Sequence, residues 1–172
     1  MNYRTTVDAL PHFVDEKNIK LFERQGVFFE LEMRSRLEIL IEEYCKLKNI
    51  EAMTMLDMAK REILPAVSKY IKHLSETTLE LTKLNIKAPF TATIVKLVSS
   101  YESASTAIEK LDKAVTKAHS LGNGIEAAKM YRDKVIPTMA TLRGICDDME
   151  LNVASKYWPL PSYGDILFSV RD

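Results

Sequence analysis

The side chains best equipped for chemistry in these 172 residues are scattered. His12, His73 and His119 stand alone: no second histidine or cysteine lies at ligand spacing on a face shared with any of them, as a metal site would need. Glu42, Glu43, Asp147, Asp148 and Glu150 could form a carboxylate site of the kind helical bundles build around paired metals. Such sites also use a Glu-x-x-His pair, which the sequence lacks, so these acids read as solvated faces. There is no glycine-rich phosphate loop, no GxSxG, and no cysteine and histidine framed as a nucleophile pair. Cys45 and Cys146 lie far apart and form no CxxC, which suits buried packing in a reducing cytoplasm. The eight methionines suit adaptable packing better than a cofactor box. No catalytic, cofactor-binding or metal-ligating residue is assigned.

One segment differs in kind. Residues 156–172 hold the only tryptophan and two of the six prolines, a composition too aromatic for a floppy tail. The tail is expected to be ordered and to dock, with Trp158, Pro159, Pro161, Tyr163, Leu167 and Phe168 as candidate docking or interface residues. It could fold back over its own helices or pack on another domain or subunit, and the sequence leaves both open. Ser99, Ser103, Ser105 and Thr106 would suit small-molecule sensing between helices, although exposed serines on a helix are the plainer reading.

Composition limits the function classes. With 47% apolar and 28% charged residues, the chain is ordinary globular material for one well-buried domain. Twenty-four basic residues balance twenty-four acidic ones, so no net field draws nucleic acid or an anionic membrane, and neither is expected as a partner. The apolar runs are too short to span a bilayer, and MNYRTTVDAL lacks the basic flank and apolar centre of a secretion signal. A cytoplasmic location is the expectation.

Hydrophobic spacing makes the chain all-α, an antiparallel bundle of about four helices. Thr5-Thr6-Val7-Asp8 has the form of a capping box opening a first helix, Pro11 weakens that helix, and Gly26 ends it. Met33, Leu37, Leu40, Ile41, Tyr44 and Leu47 continue at helical spacing into Glu51–Leu84, where Ala52, Leu56, Ala59, Ile63, Val67 and Leu74 mark one dry stripe. Unbroken helix from Glu30 to Leu84 would be about 80 Å long, against a radius of gyration near 16 Å for a compact domain of this size. A bend is therefore expected at Pro65, in preference to a break near Asn49. After a connector at Asn85–Pro89 comes a third helix with a regular seam that includes Leu97, Ala104, Ile108, Leu111 and Val115. Leu121-Gly122-Asn123-Gly124 stops it, with Asn123 as the N-cap of a fourth helix that carries Tyr131, Val135, Leu142, Cys146 and Met149 on one face and a second kink candidate in Pro137.

Four segments carry a resemblance: KNIKLFERQGVFFELEMRSRLEILIEEYCK, IEAMTMLDMAKREILPAVSKYI, EAAKMYRDKVIPTMATLRGICDDME and YWPLPSYGDILFSV. Together, and collinearly over nearly the whole chain, they resemble the C-terminal region of type III glutamine synthetases. The IEAMTMLDMAKREILPAVSKY run and the closing WPLPSYGDILF are the most specific pieces. Residues 1–29 are similar to the last helical segment of the catalytic domain, with Asp8-Ala9-Leu10 and Gly26-Val27-Phe28 at its "EAL" helix and Gly-Val-Phe turn. Residues 30–172 then form a C-terminal helical domain. The family implies ATP-dependent ligation of ammonia to glutamate with magnesium or manganese, in large ring-shaped oligomers. It also implies that the metal-holding glutamates and phosphate-clamping arginines lie upstream of this sequence, and Arg4 matches none of them. A non-catalytic module for structure, assembly or regulation follows, partnered by the catalytic domain of the same enzyme and by neighbouring subunits. The alternative is a free-standing helical interaction or adaptor bundle without enzymatic activity.

Overall fold

Capping and proline chemistry cut the start of the chain into short pieces. The computed structural model describes residues 3–168. Thr5 is the N-cap of α1 (Thr6–Ala9): its Oγ1 accepts the Asp8 amide proton at 3.2 Å and donates to the Asp8 carboxylate at 2.8 Å. Pro11 then falls in a 3-10 segment (Leu10–Val14), and α2 (Glu16–Arg24) begins only after Asp15. The single helix expected here is thus interrupted, because proline has no amide proton and crowds the preceding turn. Gly26, at φ +65°, closes α2. The amide of Val27 donates to the Phe22 carbonyl and that of Gly26 to the Glu23 carbonyl, each at 3.0 Å, which satisfies carbonyls the helix end leaves over.

The long middle stretch is helical from α3 (Glu30–Met58) through α4 (Leu64–Lys83), and α3 passes Asn49 without interruption. The irregularity expected at Pro65 is a π-helical turn, Ala59–Ile63, placed just before it. Proline cannot donate to the Arg61 carbonyl, so the turn widens, and the amide of Leu64 donates to the carbonyl of Ala59, five residues back. Asn85 takes φ 60° to end α4, with the Ile86 amide donating to the Leu81 carbonyl at 2.9 Å. α5 (Thr91–Ser120) ends at Gly122, φ +77°.

The next helix start corrects one expectation. Its N-cap is Gly124, not Asn123, and Glu126 reaches forward to Lys129 at 2.8 Å instead of back to a cap. α6 (Ile125–Met130), a second π-helical turn (Tyr131–Val135) and α7 (Ile136–Glu150) follow, the turn again sitting directly before a proline, Pro137. A 3-10 turn (Ser155–Tyr157) and α8 (Tyr163–Leu167) complete the described chain. No strand occurs among the described residues, and the fold is all-α.

The helices contribute to two compact units made of separated segments, Met1–Thr54 with Leu111–Met139, and Met55–Lys110 with Ala140–Asp172. Within the first, Met33, Cys45, Ala52, Leu111, Tyr131 and Val135 are buried. Within the second, Leu56, Val67, Leu97, Ala104, Leu142 and Met149 are. Among the described residues every buried side chain is apolar, tyrosine or cysteine, so the core owes its stability to removing apolar surface from water.

Candidate functional site

The aromatic tail divides into a held part and an exposed part. Leaving α7, Val153 is buried, and the 3-10 turn presents Tyr157 to α4, where its ring lies 5.3 Å from Tyr70 and 5.7 Å from His73. The Lys156 ammonium sits 5.0 Å from the same ring, attracted by its negative face. Tyr157 was not among the expected docking residues. Its signal was the pairing of Tyr70 and His73 one turn apart, an aromatic shelf on a helix otherwise read only for its apolar stripe.

Beside this contact lies an open cleft of about 440 Å³, bordered by Arg61, Pro65, Lys69, Lys156, Tyr157 and Pro159. The π-helical turn and the proline behind it form one wall. Trp158 is half-buried, and its indole Nε1 is buried without a hydrogen-bond acceptor among the described residues. Such a group ordinarily finds a partner.

Beyond Leu160 the tail turns outward. α8 is held by its own capping box: Ser162 Oγ accepts the Asp165 amide at 3.2 Å, and the Asp165 carboxylate accepts from the Ser162 amide at 2.8 Å and hydroxyl at 2.6 Å. Those bonds, the hydroxyl's foremost, hold the Asp165 carboxyl below the usual carboxylate range. In and beside α8 Tyr163 is 84% and Phe168 82% exposed, and Leu167 and Pro161 are exposed as well. The last four residues of the expected tail, 169–172, lie outside the described residues.

In the first unit the second π-helical turn ties three segments together. Tyr131 is buried and its hydroxyl meets Asn49 Oδ1 at 3.2 Å. Its neighbour Arg132 bonds the Asp133 carboxylate through Nε at 2.6 Å and also pairs with Asp8, at the end of the first capping box. The Asp133 bond is the main reason the guanidinium holds its proton more firmly than usual, and the same bond lowers the Asp133 carboxyl. Cys45 lies 3.8 Å from the Gly124 carbonyl. Burial raises the Cys45 thiol, and burial with help from Asp147 pushes Cys146, in the other unit, to about 11.

The scattered acids and histidines are not brought together. Glu42 pairs with Lys46 at 2.7 Å, Asp148 with Lys96 at 3.0 Å and Asp147 with Arg143 at 3.6 Å. His12 Nδ1 lies 3.0 Å from Asp15 and stacks on Tyr3. Among the described residues no three His, Cys, Asp or Glu side chains are placed to hold a metal ion. No helix among them is long and apolar enough to cross a membrane.

What remains is an all-helical piece with outward apolar surfaces, and the comparisons say to what it belongs. The glutamine synthetase C-terminal domain family matches residues 1–82. A glutamine synthetase of Butyrivibrio fibrisolvens is 31% identical over 174 residues, covering 99% of this chain and 25% of the relative. The type-3 glutamine synthetase of Dictyostelium discoideum is 30% identical, covering 97% and 24%. A glutamine synthetase of Bacteroides fragilis (strain YCH46) is 26% identical, covering 94% and 23%. The chain belongs to the glutamine synthetase family, and within it to the C-terminal region, as the type III resemblance implied. It spans about a quarter of the length of the curated relatives it matches.

Proposed function

We propose that this chain is the non-catalytic helical part of a type III glutamine synthetase, with a role in structure, assembly or regulation. ATP, magnesium or manganese, and the ligation of ammonia to glutamate then belong to the rest of that enzyme. The observation that carries this reading is the collinear match of nearly the whole chain to only a quarter of each relative, by a segment in which Glu42, Asp147 and Asp148 are paired with lysine or arginine. Phosphoryl transfer needs metal ions and positioned cations on the phosphate oxygens, which on this reading the rest of the enzyme supplies. The partners are the catalytic domain and neighbouring subunits, in a cytoplasmic enzyme.

Two measurements test it. The purified chain is expected to form no glutamine from glutamate, ammonia and ATP, and turnover by the chain alone overturns the reading. Sequencing upstream of Met1 is expected to find a catalytic domain in the same frame or encoded close by. A chain that instead purifies with a partner unrelated to nitrogen assimilation, with no catalytic domain nearby, favours a free-standing adaptor.

A further inference from the structure

α3 has two apolar faces, and only one of them is buried. Met33, Ile41, Cys45 and Ala52 point inward, while Ile39, Ile50 and Met53, bordered by Leu40 and Leu47, point the other way at three-, seven- and eleven-residue spacing. On that outer side Ile39 is 58% and Ile50 62% exposed. Phe29 and Leu31, at the start of the helix, are more exposed still. A surface helix with one core face carries mainly polar residues opposite it, whereas between Ile39 and Met53 this side of α3 carries five exposed apolar side chains and two charged ones, Glu43 and Lys46. Seven half-exposed apolar side chains amount to several hundred Å², on the order of the patch size that marks a protein contact. Glu32, Arg36, Glu43 and Lys46, the last paired with Glu42, lie exposed among these residues and can form a polar rim.

Resting on the reading above, we infer that the outward face of α3, from Phe29 to Met53, is the seat of the catalytic part of the enzyme. Two facts choose this occupant over a second copy of the chain. About three quarters of each relative's length lies outside the matched region, so there is ample protein to cover the strip. The strip also falls wholly within residues 1–82, the portion matched by the glutamine synthetase C-terminal domain family. The exposed α8, by contrast, lies beyond that portion. The partner surface is correspondingly apolar, with a basic and an acidic group placed to meet Glu43 and Lys46.

The test is thiol labelling of Ile50→Cys and, separately, Ile39→Cys, each checked for native helix content. It is done in the isolated chain and in the polypeptide that joins the chain to its catalytic region, or in the two co-expressed. Cys45 and Cys146 are buried and give a slow background. The expected result is a monomeric isolated chain labelled quickly at both positions, and labelling slowed about tenfold or more once the catalytic region is present. Equal rates in a ligase-active complex overturn the inference and leave the proposed function standing. An isolated chain that dimerises and is already protected at Ile50 assigns the face to a second copy and also overturns it. Absence of any catalytic region defeats the functional reading itself and the inference with it.

Discussion

Two π-helical turns, Ala59–Ile63 and Tyr131–Val135, have the same backbone and opposite surroundings. Each stands directly before a proline two residues past its end, and in each the residue preceding the proline donates to a carbonyl five residues back: Leu64 to Ala59, Ile136 to Tyr131. Even the local sequences correspond, KREILP and RDKVIP. What differs is the first residue of the turn. In the first unit it is Tyr131, which fills the core and reaches Asn49, while Arg132 beside it takes hold of Asp8. In the second it is Ala59, and Arg61 and Glu62 are left to border an open cleft under Tyr157. Proline chemistry makes the turn, and the side chains decide whether it becomes a fastening or a wall.

That contrast can be broken most severely at Tyr131. Tyr131→Ala should cost about 3–5 kcal/mol in urea unfolding, as large-to-small core changes do. Tyr131→Phe should cost only about 1 kcal/mol for the lost hydroxyl bond. If the two variants unfold at the same urea concentration, the fastening is the hydrogen bond and not the packing. In the other unit, Tyr157→Ala removes ring contacts with Tyr70 and His73 that are worth about 0.5–1.5 kcal/mol. It should also speed hydrogen exchange in residues 155–160 while leaving residues 131–135 unchanged. Altered exchange at Tyr131–Val135 in that variant would show that the two turns are not independent.

Arg132→Met sharpens the comparison at smaller amplitude. Releasing Asp8 is expected to speed amide exchange through α1 and leave α4 as it was. An unchanged α1 would mean that Thr5 and its capping bonds hold the segment unaided. The smallest effect expected is in α8. Its Asp165 carboxyl is depressed in the folded chain, so the contribution of the cap is complete above the unfolded aspartate value of about 3.9 and lost as the pH falls through the folded one. Carboxyl NMR should place the Asp165 midpoint below that of an unstructured aspartate, and a midpoint at or above it would show the capping box is not formed.

Much of the helical order was legible because local rules wrote it. Thr5 and Asp8, Gly26, Pro65, Asn85 and Gly122 mark boundaries through amide protons and left-handed backbone, which depend on a residue and its near neighbours. The dry stripe of α4 was legible for the same reason, since one-sided burial leaves a 3.6-residue period. α3 was harder. Leu40 and Leu47 counted toward its core stripe, and both are exposed, because a helix with two apolar faces gives a pattern that does not say which face the rest of the chain will cover. Within the tail, composition did not say which aromatic residue meets the chain's own helices: Tyr157 makes the contact with α4, while Tyr163, Leu167 and Phe168 are exposed.

By itself, then, the sequence determined the class of fold, the helix ends at Thr5, Gly26, Asn85 and Gly122, the proline irregularities and the family, all properties of short-range stereochemistry or of residues in order along the chain. Only the tertiary structure decided which of two apolar faces is buried, which aromatic residue of the tail is held, and that Arg132 meets Asp8 across 124 positions of sequence. Those outcomes depend on segments far apart in the chain competing for the same apolar surface. No local period records who wins.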